Sequence, residues 1–267
     1  MQVRGLLIVL LCALAGCNNW IKEGHRSLEP GRGLSRQTAD MNGKNVGYRM
    51  FVPHGDPPPG GYPAILFLHG FGEGGNDTGK QLKVGLGPQV KKRQKQFPFV
   101  VLFPQVGHWT EGADAVALAA LDHARTVVPI DPNRVSVTGM STGATAAWRV
   151  AGARADEVAA VVPVAGDSRS DVVDELAAND VAVWIWHNRF DPIVNAGGSD
   201  RMANALRKRG LEVRYTKPFS AAHDVWKIAY DDELFYWLLQ QRRDSAKRRA
   251  GDAKVPDRPD RPSSLRR

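Results

Sequence analysis

Ser141, Asp191 and His223 have the side-chain types, and the order along the chain, that acyl transfer requires. Ser141 sits in Gly139-Met140-Ser141-Thr142-Gly143, which fits G-x-S-x-G. The β-branched run Val135 to Thr138 precedes it, after the turn residues Asp131-Pro132-Asn133. Small residues and Trp148 follow, as in a helix packed closely on a sheet. Strand, tight turn, helix is the context in which this motif presents a nucleophile. Glycines at 139 and 143 remove bulk from either side of a strained turn.

A serine hydroxyl is a weak nucleophile at neutral pH. It needs a base, and the base needs an orienting acid. With this strand-to-helix turn the expected order is Ser, then Asp or Glu, then His, each on a loop at the carboxyl end of a strand. The apolar run Val181 to Trp186 ends at His187-Asn188-Arg189-Phe190-Asp191-Pro192, and the run Leu211 to Tyr215 leads to a loop holding His223. Six other histidines compete. His25, His54, His108 and His123 lie too early, His69 belongs to a glycine-rich turn, and His187 falls before the acid. Asp224 adjoins the histidine and is badly placed to face its far nitrogen, while Asp167 follows the preceding strand, a less usual acid position. Developing negative charge needs donors already in place. The Thr142 N–H, next after the serine, is one. The Phe71 N–H, within His69-Gly70-Phe71-Gly72, is the second.

The elements that must position these groups read as short apolar strands alternating with helical segments. Strands are expected at 46–52, 64–68, 99–103, 135–138, 158–164, 181–186 and 211–215. Helical patterns lie at 80–93 (interrupted at Gly85-Leu86-Gly87-Pro88), 113–127, after Ser141, at 200–208 and at 233–239. This implies an α/β fold with a mostly parallel central sheet and helices on both faces. The 267 residues, 43% of them hydrophobic, suit one such domain. Its expected limits are 39–241.

Residues 1–16 read as a signal segment, with Arg4 ahead of an apolar run too short to span a bilayer. Leu14-Ala15-Gly16-Cys17 resembles the bacterial lipobox, in which the cysteine is lipidated and becomes the first mature residue. Export and membrane attachment through a lipid on Cys17 are therefore expected. Asn18 in the next position favours the outer membrane where the source has one. Residues 17–38 read as a tether and 242–267 as a disordered basic tail. Ten Arg or Lys against four Asp give that tail +6 of the chain's formal +8, so the body is near neutral. The tail lacks interleaved aromatics, and no nucleic-acid partner is expected. Cys12 and Cys17 are the only cysteines, which excludes a disulfide framework.

The segments FLHGFGEGGND, QLKVGLGP, FPFVVLFPQ, DPNRVSVTGMSTG and RYTKPFSAAHDVW, with the Asp191-Pro192 turn, resemble the α/β-hydrolase superfamily. More narrowly they are similar to bacterial secreted carboxylesterases of the polyhydroxybutyrate-depolymerase-like and feruloyl-esterase-like group. The resemblance spans about 46–241. The chain departs from that group's pattern at Val106, Thr142, Ala144 and Asn188. The resemblance implies a serine esterase that needs no cofactor or metal. A serine peptidase on the same residues and a non-catalytic surface lipoprotein are the alternatives. The polar segment between Val164 and Val181 is too short for an apolar lid, so short-acyl or polymer-linked esters are the expected substrates. Trp109 and Trp226 are candidates for stacking on a sugar or aromatic ring at the rim, with plain loop packing as their other reading.

Overall fold

The computed structural model describes residues 31–110 and 112–243. The chain runs through β1 (Gly33–Met41), β2 (Lys44–Val52), β3 (Tyr62–Leu68), α1 (Leu86–Arg93), β4 (Val100–Pro104), α2 (Asp114–Val127), β5 (Ile130–Met140) and α3 (Thr142–Ala153). It continues through β6 (Val158–Val164), α4 (Val173–Ala178), β7 (Ala182–Trp186), α5 (Gly197–Lys208), β8 (Val213–Thr216), α6 (Trp226–Ala229) and α7 (Asp232–Gln240). The eight strands form one sheet in the order β1-β2-β4-β3-β5-β6-β7-β8. β3 to β8 are parallel, and β1 and β2 pair antiparallel at one edge.

Burial explains the composition of the strands. Every residue of β3, β4 and β6 is buried, as expected of parallel strands covered on both faces. Alternate side chains feed two cores. Leu66 and Leu68 pack with Leu121 of α2, Trp148 of α3, Leu176 of α4 and Leu206 of α5. Ile65 and Phe67 face the opposite way, among Leu86 and Val90 of α1, Ala229 of α6 and Leu234 of α7. After β3 the chain moves to one side of the sheet and after β5 to the other. The helices that follow these two neighbouring strands also cover opposite faces. A crevice therefore opens at the carboxyl ends of β3 and β5, where this topology places ligands.

Two expectations need correction. Residues 33–38, read as part of a tether, belong to β1 and pair with β2 from Gly33↔Val52 to Met41↔Lys44. Their sequence is mostly polar, and only their burial alternates, as on an edge strand with one face exposed. Asn42 and Gly43, both with positive φ, close the hairpin. Asp131 to Asn133 do not precede β5 but form an irregularity within it. The pairing with β3 jumps from Tyr62↔Ile130 to Ala64↔Val135, and Asp131 Oδ1 accepts from the Asn133 N–H at 2.9 Å.

Both ends of the described chain lie at the amino-terminal edge of the parallel strands. The Arg32 guanidinium donates to Gly55 O at 2.8 Å and to the hydroxyl of Tyr62, which opens β3. At the other end, Arg242 Nη1 donates to Asp131 Oδ2 at 2.7 Å and the Arg243 N–H to Asn133 O at 3.0 Å. The proposed signal segment, Cys17 and most of the basic tail lie outside the described residues.

Candidate active site

The end of β5 delivers Ser141 in a conformation few side chains adopt, with φ 54° and ψ −122°. Its N–H is held by Val164 O at 2.9 Å, which ties the turn to the end of β6. The helix then starts at once. A Cβ on Gly143 would stand 2.2 Å from Leu68 O, and one on Gly139 would stand 2.3 Å from Gly143 O. Only glycine lets α3 approach the end of β3 this closely.

The ends of β7 and β8 supply two further groups. His223 Nε2 lies 2.9 Å from Ser141 Oγ, and His223 Nδ1 lies 2.6 Å from Asp191 Oδ2. An aspartate can only accept here, so Nδ1 carries the proton and Nε2 is left to accept from the serine hydroxyl. The Asp191 side chain is wholly buried. Its Oδ1 accepts the N–H groups of Ile193 at 2.8 Å and Val194 at 3.0 Å. Burial alone would raise the carboxyl pKa. The hydrogen bonds from His223, Val194 and Ile193 outweigh it and hold the group below the ordinary aspartate value. Three hydrogen bonds lace the two loops together: Asn188 Nδ2 to Ala222 O (2.7 Å), Arg189 N–H to Pro218 O (2.9 Å) and Phe190 N–H to Ser220 O (3.0 Å).

The competing groups point elsewhere. Asp167 bonds the backbone of Ser168 and lies 3.9 Å from Arg201. Asp224 pairs with Lys227. His187 is buried, bonded to Ser199 and Val194.

Phe71 opens a single 3-10 turn after β3, with its ring exposed and stacked on His108 at 4.8 Å. The buried His69 organises this loop. Its Nδ1 donates to Gly70 O at 2.6 Å, and its Nε2 accepts the Val106 N–H at 3.2 Å. In a trans peptide the N–H opposes the carbonyl, so fixing Gly70 O toward His69 turns the Phe71 N–H the other way. Thr142 is the first residue of α3, and first-turn N–H groups have no partner inside their helix. Burial lowers the His69 pKa, which keeps the ring neutral and able to play both roles.

A cleft of about 490 Å³ opens beside Ser141. Its walls carry Thr145, Arg149, Asp167, Ile193, Asn195 and Arg201. Arg149 is fixed by Asp114, at 2.6 Å and 2.8 Å. The two tryptophans do not stand as exposed platforms. Trp109 lines the cleft but is only 7% exposed, its indole N–H spent on His69 O at 2.9 Å. Trp226 is half-buried and meets the His223 ring edge to face at 5.0 Å, supporting the imidazole. Sequence reasoning missed the polar side chains that line the cleft. Some were legible, since Thr145 and Arg149 fall four and eight residues after Ser141 on one helix face. Asn195 and Arg201 carried no such signal.

The pattern of the Dienelactone hydrolase family matches residues 86–225, from α1 to the residues just past His223. No curated protein sequence matches the chain. Among solved structures, a thermostable esterase is 26% identical with a TM-score of 0.68, over 78% of this chain and 63% of that one. The chain thus spans less than two thirds of that esterase. Est1E from Butyrivibrio proteoclasticus is 15% identical with a TM-score of 0.60, over 77% of this chain and 98% of that one. The acylaminoacyl peptidase of Pyrococcus horikoshii is 11% identical with a TM-score of 0.61, over 85% of this chain but 44% of that one. These last two likenesses show the fold alone. The match over more than half the sequence, on an eight-stranded α/β sheet, makes the chain a member of the dienelactone hydrolase family, within the α/β-hydrolase superfamily.

Proposed function

We propose that the chain is a serine carboxylic-ester hydrolase working through an acyl-enzyme. The observation that carries this reading is the unbroken hydrogen-bonded line from Asp191 through His223 to Ser141, mounted on a strained turn. His223 Nε2 takes the hydroxyl proton as Ser141 Oγ attacks the ester carbonyl carbon. Asp191 holds the Nδ1–H and stabilises the imidazolium that forms. The N–H groups of Thr142 and Phe71 receive the oxyanion, whose charge they meet without reorganising. Collapse of the tetrahedral intermediate breaks the ester C–O bond, and the imidazolium returns its proton to the departing alcohol. Water then repeats the attack on the acyl-serine, releasing the acid and restoring the serine. No metal or cofactor enters any step.

The cleft beside Ser141 supports esters with a short acyl group, or esters carried on a polymer. Thr145, Arg149, Asp167, Asn195 and Arg201 line it beside the apolar Trp109, Ile193 and Val194. The chain between β6 and β7 folds only into a short 3-10 turn at 170–172 and α4, which gives no apolar cover over the site. Export and a lipid on Cys17, placing the enzyme on a membrane surface, complete the proposal. They rest on Leu14-Ala15-Gly16-Cys17 and the apolar run before it.

A serine-directed fluorophosphonate tests the central claim. Mass spectrometry of the intact protein is expected to show one adduct, located on Ser141. Ser141→Ala should fold, escape labelling and lose hydrolysis of p-nitrophenyl acetate. Label on another residue, or full activity in the mutant, would reject the assignment. Faster turnover of peptide amides than of esters would move the reading to a peptidase.

A further inference from the structure

His187, which the mechanism leaves unused, has both ring nitrogens bonded beside the site. It is fully buried at the end of β7, four residues before Asp191. Its Nε2 lies 2.9 Å from Val194 O and 3.4 Å from Asp191 Oδ2. Both of those oxygens can only accept, so Nε2 carries a proton. Its Nδ1 lies 2.8 Å from Ser199 Oγ on α5. Burial lowers the ring's pKa toward the neutral form, in which Nδ1 accepts the Ser199 hydroxyl at 2.8 Å in preference to Gly166 O, 3.4 Å from the same oxygen. One ring thus touches the acid, the carbonyl that closes the acid's turn, and the first turn of the next helix.

The geometry of that turn shows why this matters. Asp191 Oδ1 is fixed by the N–H groups of Ile193 and Val194, so the carboxylate is oriented by its own turn. Asn188, Arg189 and Phe190 tie the stretch before the acid to the loop after β8, and His187 ties the stretch after it to β7. The Val194 N–H holds the carboxylate and the Val194 carbonyl is held by His187, so the anchor acts at the residue that orients the acid.

We propose that His187 is a positioning residue for the acid: by donating Nε2–H to Val194 O and toward Asp191 Oδ2, it pins the Asp191 turn to β7 and aims Oδ2 at His223 Nδ1. Ser199 fixes the tautomer that allows this. The proposal rests on the reading of Asp191 as the acid. The ionisable groups facing His187 are Asp191 and Lys217 on the loops after β7 and β8, His223 beyond them, and Asp200 on α5.

The test compares His187→Leu, His187→Gln, Ser199→Ala and Asp191→Asn in the full chain, by steady-state kinetics from pH 5 to 9. An angstrom of misplacement costs up to about 100-fold, so His187→Leu is expected to lose about 10- to 100-fold in kcat with KM within about twofold. The acid limb of its kcat/KM profile should move to lower pH, because a mis-aimed carboxylate no longer favours the imidazolium. His187→Gln, whose amide N–H reaches the place of Nε2, should regain most of kcat and return the limb. Ser199→Ala should lose about threefold or more in kcat with the limb displaced the same way, and this variant decides the matter if His187→Leu does not fold. An unchanged limb in Ser199→Ala or in folded His187→Leu, or no rescue by glutamine, would reduce His187 to core packing and overturn the proposal. Asp191→Asn separates the two levels: a dead Asp191→Asn beside an unaffected His187→Leu sinks this inference alone, whereas an active Asp191→Asn sinks the assignment of the acid beneath it.

Discussion

Gly143→Ala should damage stability and activity together, although it adds one methyl group to an ordinary helical position. The Cβ would stand 2.2 Å from Leu68 O and 2.3 Å from His69 O. Neither oxygen can turn aside, because both are backbone, and Trp109 holds the second by a 2.9 Å hydrogen bond. Restoring an ordinary contact requires α3 to retreat about 1 Å from the end of β3. Overpacking a well-filled site costs about 1 to 3 kcal/mol, and a clash against fixed backbone belongs at the upper end. For a domain of this size that lowers Tm by about 6 to 12 °C. The same retreat carries the Thr142 N–H and Ser141 away from His223, so kcat should fall about 100-fold. Urea unfolding and p-nitrophenyl acetate turnover read the two effects. Gly72→Ala is the control: it lies on the neighbouring loop, an added Cβ meets nothing within 4 Å, and its stability should stay within about 0.5 kcal/mol of the parent. A Gly143→Ala protein as stable and as active as that control would refute the close-approach argument.

Four further outcomes are expected. Asp191→Asn should lose about 1,000-fold or more in kcat by favouring the wrong histidine tautomer, while Asp167→Asn should keep most activity; the reverse, in the same ester assay, moves the acid to the loop after β6. Rates should be highest on acetyl to butyryl esters and fall by about octanoyl, since each added methylene gains about 0.8 kcal/mol only if it leaves water; rates that climb to palmitate would reveal an apolar site. Burial depresses the pKa of both His69 and His187. Below about pH 6.5 the unfolded chain therefore binds protons that the folded chain refuses, and stability falls toward acid by up to about 1.4 kcal/mol per pH unit for each. His187→Gln should make that fall shallower, and a urea midpoint constant from pH 7 to 5 in the parent would contradict it. Finally, Cys17→Ser should release the protein from the membrane fraction or leave its precursor uncut; an unmodified mature N-terminus downstream of Cys17 would end the lipoprotein proposal.

What was legible in the sequence followed from rules that act locally. The runs at 64–68, 158–164 and 181–186 are apolar enough on both faces to declare themselves parallel strands. Strand order then placed Ser141, Asp191 and His223 on loops at one end of the sheet, and the structure brings their side chains into one hydrogen-bonded line. β1 was illegible because GLSRQTADM has almost no apolar period. It is held by backbone pairing to β2, which leaves no mark in the residues themselves. The sequence left Trp109 open between stacking and packing, because nothing in it says that the carbonyl of His69 waits for its indole. The walls of the cleft depend on how α3 and α5 converge, and convergence is a property of packing.

The positions where the chain enters and leaves the sheet have a practical consequence. Arg32 and Arg242 are both fastened beside the first residues of β3 and β5, whereas Ser141 follows the last residue of β5. The seven residues of β3, at about 3.3 Å each, set these two rims about 20 Å apart. A label or fused domain joined directly at Arg32 or Arg243 would therefore load the rim opposite Ser141 and leave the mouth of the cleft clear.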